Sequence, residues 1–236
     1  MLDNESPFNQ LLAALPNSEY QRLLPHLEIV QLSVGEILYQ SYETIKYVYF
    51  PHQGMISLVA IMENGTTTEV GIVGKEGLTG ISTILGSDCS IHCAMVQIVG
   101  SASRIEVDLL RQEFNRGGRL QKLLLLYTQA RLTQITQNAA CYSQHLIEQR
   151  LARWLLTVDD CVQQDSFSLT QELIATMLGV RRSGITKAAN LLQQAEIIRY
   201  NRGNIMILNR AALETVSCEC YWIIKQEFYR LFSFNV

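Results

Sequence analysis

The chain has 236 residues, 48% hydrophobic and 17% charged, with 14 Gly and 4 Pro. This is an ordinary globular composition with room for one large domain or two smaller ones, and it excludes collagen-like, disordered and low-complexity chains. A formal net charge of −3 gives the whole chain no attraction to nucleic acid or to anionic membranes, so any such partner has to be met by a local patch.

No run of apolar residues reaches the roughly 18 needed to cross a bilayer, and the first ten residues, MLDNESPFNQ, are polar and acidic where a secretory signal is basic and then apolar. The expectation is a cytoplasmic protein with no membrane partner. Six cysteines (Cys89, Cys93, Cys141, Cys161, Cys218, Cys220) are too sparse for a disulfide scaffold and are expected as thiols.

Between residues 27 and 107, short runs rich in Val, Ile, Tyr and Thr are broken by Gly, Asn or Pro, which predicts strands at 27–35, 36–40, 46–50, 92–98 and 102–107. The clearest hairpin joins 55–62 to 66–74 through Glu63-Asn64-Gly65, because Asn-Gly supplies the positive φ angles of a tight turn. This half reads as an all-β roll or barrel. Beyond Val107 the period turns helical, and Arg116-Gly117-Gly118 is expected to end a short helix. Residues 119–142 contain neither Pro nor Gly, and Leu125, Thr128, Leu132, Ile135, Ala139 and Tyr142 recur at spacings of three and four. Such a stripe packs either on its own sheet or along the seam of a coiled-coil dimer. A further helix is expected over 143–158, with Asp159-Asp160 as its solvated end and 163–168 as a polar connection.

Charge divides unevenly about that point. Residues 1–144 hold 9 Lys/Arg against 13 Asp/Glu, net −4, whereas 145–236 hold 10 against 9, net +1. Between Arg181 and Arg210 stand six basic residues and a single acid, Glu196. The stretch SLTQELIATMLGVRRSGITKAANLLQQAEIIRYNRGNIMIL, residues 168–208, begins with a short amphipathic helix ending at Gly179. A second helix follows to about Gln194, with Ile185, Ala188, Ala189 and Leu192 inward and Arg182, Ser183, Thr186, Lys187 and Asn190 outward. The outward set holds only residues that bond phosphates or base edges, as in a helix-turn-helix whose second helix enters the major groove. A hairpin over 197–208, turning at Asn201-Arg202-Gly203-Asn204, adds a wing that brings Arg199, Asn201 and Arg202 to the DNA backbone.

A β-roll, a long helix and a winged helix-turn-helix in this order resemble the cyclic-AMP receptor and fumarate-nitrate regulator (Crp/Fnr) family of bacterial transcription factors, most strongly over residues 169–221. The fold class expected is α+β, with a cyclic-nucleotide-binding-like sensor roll (1–115), a dimerisation helix (116–143), a winged helix-turn-helix (144–213) and a helical tail (214–236). The resemblance implies a homodimer on a palindromic site in double-stranded DNA, with Arg182, Ser183 and Lys187 reading bases and Arg181, Thr186 and Asn190 beside them. Arg181 stands where many members carry a Ser or Thr cap, so the helix starts uncapped or Ser183 caps it later.

Members that bind a cyclic nucleotide use a Gly-Glu for the ribose and an Arg for the phosphate. Here Gly80 fits the glycine, but Ile81 falls at the carboxylate and His92 or Cys93 at the Arg, so cyclic AMP is not the expected ligand. Cys89, His92 and Cys93 offer three metal ligands and Cys218-Glu219-Cys220 two more, but neither completes a site; no metal and no cofactor are expected, and Cys141 and Cys161 read as packing residues. Gly71 to Lys75 lacks the spacing of a phosphate-binding loop, no GxSxG or HExxH occurs, and the four His are scattered, so no enzyme is expected. The alternative to a DNA-binding regulator is a ligand- or redox-sensing module acting through protein partners. RNA polymerase and an unknown small effector are the further partners this reading allows.

Overall fold

The computed structural model describes residues 8–162 and 166–233; the polar amino terminus and the start of the 163–168 connection lie outside them. Two short helices, α1 (Gln10–Ala13) and α2 (Asn17–Leu23), precede the roll, although no helix was expected there. Asn9 secures the first: its Oδ1 accepts from the Leu11 and Leu12 amides, while its Nδ2 donates to the Pro51 and Gly77 carbonyls. A buried amide with every polar atom used both caps the helix and fastens it to the roll.

The roll consists of β1 (Glu28–Leu32), β2 (Ile37–Tyr39), β3 (Tyr47–Ile61), β4 (Thr67–Val73) and β5 (Cys93–Glu106), antiparallel in the order β1-β5-β3-β4 with β2 also on β5. The hairpin of β3 and β4 pairs Ile56 with Val73 and Ile61 with Thr67, as the Asn64-Gly65 turn implied. The segments expected at 46–50 and 55–62 form one strand, and so do those at 92–98 and 102–107. Register shifts carry the β3–β5 ladder through Pro51, Gln53 and Met55 instead of ending it. Gly54 makes the bend at φ +85°, and Gly100 lets the Gln53 carbonyl press where a Cβ would be.

Next come α3 (Val107–Asn115) and α4 (Gly118–Gln144). Gly117 offers α4 no capping side chain, so Glu19 of α2 takes over: its carboxylate accepts from the Arg119 and Leu120 amides at 2.9 and 2.8 Å. The second half holds α5 (Ile147–Val162), β6 (Ser166–Ser168), α6 (Gln171–Leu178), α7 (Arg182–Gln194), β7 (Ile198–Asn201), β8 (Asn204–Ile207), α8 (Arg210–Val216) and α9 (Cys220–Ser233). β6 was expected to be loop; it pairs with β8 and widens the wing to three strands in the order β6-β8-β7.

Helix α5 begins four residues later than the sequence suggests, because His145 breaks the chain in extended conformation (φ −101°, ψ 149°), and it runs on to Val162. Asp159 and Asp160 are therefore not a solvated end. They are partly buried against Arg210, with Lys225 and the Tyr221 hydroxyl also on Asp160. The cations come from α8 and α9, about fifty or more residues away, where no local pattern could announce them.

Two apolar cores result. One fills the roll and includes Leu120, Leu123, Leu124 and Tyr127 of α4 and Leu231 of α9. The other is built by α5, α6, α7 and the wing, and it takes in Met55, Val59, Ile72 and Ile98 of the roll, so the carboxy-terminal half is packed onto the sheet. Among the described residues no helix is long and apolar enough to cross a membrane.

Candidate nucleic-acid interface

The turn between α6 and α7 follows from two local features. Thr170 caps α6 by accepting from the Leu173 amide at 3.1 Å, and Gly179 ends it in the left-handed region at φ +62°, where a side chain is costly. α7 then starts at Arg182 with Arg181 as N-cap and no capping side chain, which resolves the expectation about Ser183: the helix starts uncapped. Ile185, Ala188, Ala189 and Leu192 are buried as the period implied. Gly184 faces α5, where a Cβ would come 2.8 Å from Ile147 Cδ1.

On the outer face Arg181, Arg182, Ser183, Lys187 and Asn190 are exposed. Arg182 has only a loose, exposed ion pair with Glu172 at 3.8 Å, which is worth a fraction of a kcal/mol at most, roughly 0–1 by the usual measure of surface pairs. Thr186 differs from its neighbours. Its hydroxyl is engaged inside the motif, 2.6 Å from Gln171 Oε1 and 3.1 Å from the Arg182 carbonyl, so it braces α6 against α7.

Beside α7 stands the wing. Arg202 (φ +48°) and Gly203 (φ +85°) form the centre of the turn, and Arg199, Asn201 and Arg202 are exposed. Tyr200 anchors it: its amide donates to Gln193 Oε1 and its hydroxyl to the Leu169 carbonyl, and burial raises the phenol. Arg210, the sixth cation of the basic stretch, is committed to Asp159, Asp160 and Glu214 and does not face outward with the rest.

Along α4 the expected stripe separates into parts. Leu125, Leu132 and Ile135 are 49%, 54% and 39% exposed, with Ala139 exposed and Thr128 half-buried beside them. Tyr142 turns inward, donating to the Glu69 carbonyl at 3.1 Å beneath the Arg150 guanidinium. The opposite face is buried on the chain itself and carries Arg131, which the stripe did not single out; its Nη1 donates to the Ile72 carbonyl at 2.7 Å and to Gln134.

At Gly80 and Ile81 the cassette is engaged by the chain itself. The Gly80 amide donates to the Tyr39 hydroxyl, the Gly80 carbonyl accepts from Thr83, and Ile81 packs against the roll core. Burial lowers the His92 imidazole, which disfavours its cationic form, and raises the Cys93 thiol, a group with no cationic form to offer a phosphate. A separate cleft of about 280 Å³ lies between the roll, α5 and α9, lined by Lys75, Glu76, Gln134, Asp160 and Lys225 among others. Cys89, His92 and Cys93 do not converge. Instead Cys141, expected only to pack, meets Cys218, Cys220 and His145, the one such grouping among the described residues.

Residues 149–216 match the Crp-like helix-turn-helix domain family. No curated protein sequence matches the chain. Solved structures share the architecture over about four fifths of the chain. FixK2 from Bradyrhizobium japonicum superposes with a TM-score of 0.70 at 16% identity, covering 81% of this chain and 98% of its own. A Crp/Fnr family transcriptional regulator from Thermus thermophilus does so at 0.65 and 19%, covering 80% and 98%. The c-di-GMP responsive global regulator CLP of Xanthomonas campestris does so at 0.67 and 14%, covering 81% and 99%. Residues 149–216 thus carry a Crp-like helix-turn-helix domain, and over most of its length the chain has the fold of Crp/Fnr family transcription regulators.

Proposed function

We propose that the protein regulates transcription as a homodimer in the cytoplasm, laying α7 of each copy in the major groove at the two half-sites of a palindromic operator. The observation that carries this reading is the outer face of α7, where Arg181, Arg182, Ser183, Lys187 and Asn190 stand exposed beside the basic turn of the wing. Arg182 and Lys187 suit the paired acceptors of a guanine edge, Asn190 the donor and acceptor of adenine, and Ser183 either. The first amides of α7, which no side chain caps, suit a phosphate together with Arg181, as do Arg199, Asn201 and Arg202 of the wing. A second copy lying along Leu125, Leu132, Ile135 and Ala139 would cover apolar side chains that one chain leaves in water.

The roll is not a receiver for cyclic AMP. Its Gly80 amide is taken by Tyr39, and the positions that would meet a ribose and a phosphate carry Ile81, His92 and Cys93.

The test is selection of genomic DNA fragments by the purified, reduced protein, read by sequencing at two salt concentrations. A palindrome with half-sites about one helical turn apart (roughly 34 Å) is expected to survive the higher salt. Arg182→Ala should weaken binding to that site by about 1–3 kcal/mol and relax the preference at one position per half-site, with cyclic AMP changing neither. Equal binding of all fragments by the wild type, or no effect of Arg182→Ala, overturns the reading.

A further inference from the structure

The end of α4 and the turn between α8 and α9 bring four soft donor atoms together. Cys141 and His145 are one helical turn apart, with the His145 amide donating to the Cys141 carbonyl at 3.1 Å, and Cys218-Glu219-Cys220 folds back over them. The three sulfurs and one imidazole nitrogen all lie within 4.8 Å of one another. Cys141 Sγ is 3.5 Å from Cys218 Sγ, and Cys220 Sγ is 3.5 Å from His145 Nδ1. A tetrahedral zinc ion with Zn–S of about 2.3 Å and Zn–N of about 2.0 Å sets its sulfurs about 3.8 Å apart and sulfur from nitrogen about 3.5 Å. The grouping has the size of one four-coordinate ion and is too tight for a multi-iron cluster.

Its surroundings are those of a metal centre as well. The Glu219 carboxylate lies 3.2 Å from His145 Nε2, which fixes the proton on that nitrogen and turns Nδ1 toward Cys220. Such a carboxylate behind the imidazole is how ligating histidines are commonly oriented. Gln137 Nε2 donates to Cys220 Sγ at 3.1 Å, a bond that suits a thiolate better than a thiol. Cys141, Cys218 and Cys220 are buried and form a cluster separate from both apolar cores. Close by, Arg153 is only 4% exposed; its Nη1 donates to Asn138 Oδ1 at 2.9 Å, but its Nε has no hydrogen-bond partner and it forms no ion pair within 4.0 Å among the described residues. As thiolates, Cys141 and Cys218 would hold this guanidinium in its charged form against the desolvation that opposes it.

We propose that Cys141, His145, Cys218 and Cys220 form a structural site for one divalent zinc-type cation, held by three thiolates and His145 Nδ1. Binding releases three thiol protons to solvent and leaves a centre of net charge −1, which neutralises the buried Arg153 guanidinium. The ion ties the start of α9 to the break between α4 and α5, where the long helix hands over to the helix-turn-helix half. A Cys141–Cys218 disulfide is the competing use of these thiols, but it would leave Cys220, His145 and the Gln137 amide without purpose.

The test is elemental analysis of full-length protein purified under reducing conditions without a chelator or polyhistidine tag, followed by cobalt replacement. One zinc per chain is expected. Stripped protein titrated with Co²⁺ should show the sulfur-to-cobalt charge-transfer band and the strong visible bands of tetrahedral cobalt, both erased by added zinc. Cys218→Ser and Cys220→Ser should each remove part of the charge-transfer intensity, while Cys89→Ser leaves the spectrum unchanged. Reduced wild-type protein that holds no stoichiometric metal and gives no tetrahedral cobalt spectrum overturns the proposal. So does a mass two hydrogens short, mapped to a Cys141–Cys218 bond, in protein taken directly from reducing conditions. Both decisive readouts use the unaltered chain, so a variant that fails to fold leaves the proposal falsifiable.

Discussion

A Cβ at position 184 would sit 2.8 Å from Ile147 Cδ1, the tip of a half-buried side chain that can give way. Gly184→Ala is expected to change stability by less than about 1 kcal/mol, because the helix propensity gained offsets the displaced tip, read as a nearly unchanged urea midpoint. Combining it with Ile147→Val, which removes the offending methyl, should raise the midpoint above that of Ile147→Val alone. Glu69 makes a different residue-level case. Its carboxylate is fully buried on β4, where it accepts from Ser57 Oγ and from Trp154 Nε1 at 2.8 Å, and burial raises its pKa against the opposing pull of its two hydrogen bonds, Arg153 and Arg131. The folded chain therefore holds this proton to a higher pH than the unfolded chain does. Stability from Glu69 is fully present below the unfolded carboxyl pKa, falls as pH rises through the raised folded value, and is level above it. Glu69→Gln should flatten that fall in unfolding midpoints measured from mildly acid to neutral pH. Because burial raises Glu76 in the same direction, Glu69→Gln/Glu76→Gln should flatten it further.

Elements differ in how openly the sequence announces them. The Asn64-Gly65 hairpin, the stop at Gly179, the faces of α7 and the Asn201–Asn204 wing turn are settled by residues within a few positions of one another, and all were legible. The through-going β3 and β5 were not, because their breaks at Pro51, Gly54 and Gly100 are bridged by each other's bulges. The start of α4 was legible to within a residue or two, but its cap was not, because that is Glu19, a hundred residues upstream. The outer face of α4 carries its own prediction. Leu132→Asp places a charge among Leu125, Leu132 and Ile135, and it should shift the sedimentation coefficient from dimer toward monomer with the circular dichroism unchanged. At the other end of α5, Asp160 joins Arg210, Lys225 and Tyr221. Asp160→Asn should loosen α9 and quicken its proteolysis while costing only about 1 kcal/mol, since the group is partly solvated.

On the scale of the whole molecule, what stayed hidden was everything that joins distant parts of the chain. Cys141 and Cys218 are 77 residues apart, and neither pair of donors reads as a site alone. The change from strand to helical period and the basic stretch of the carboxy-terminal head were plain in the sequence, but the core that the head shares with the roll was not. Met55, Val59, Ile72 and Ile98 look like ordinary inward strand residues, yet they are covered by the helices of the other half. Separation of the head from the roll would therefore wet apolar surface on both sides of the seam, and water ordered on such surface raises the heat capacity. The two halves should melt in one calorimetric endotherm, and any signal that swings the head away should announce itself as an increase in heat capacity.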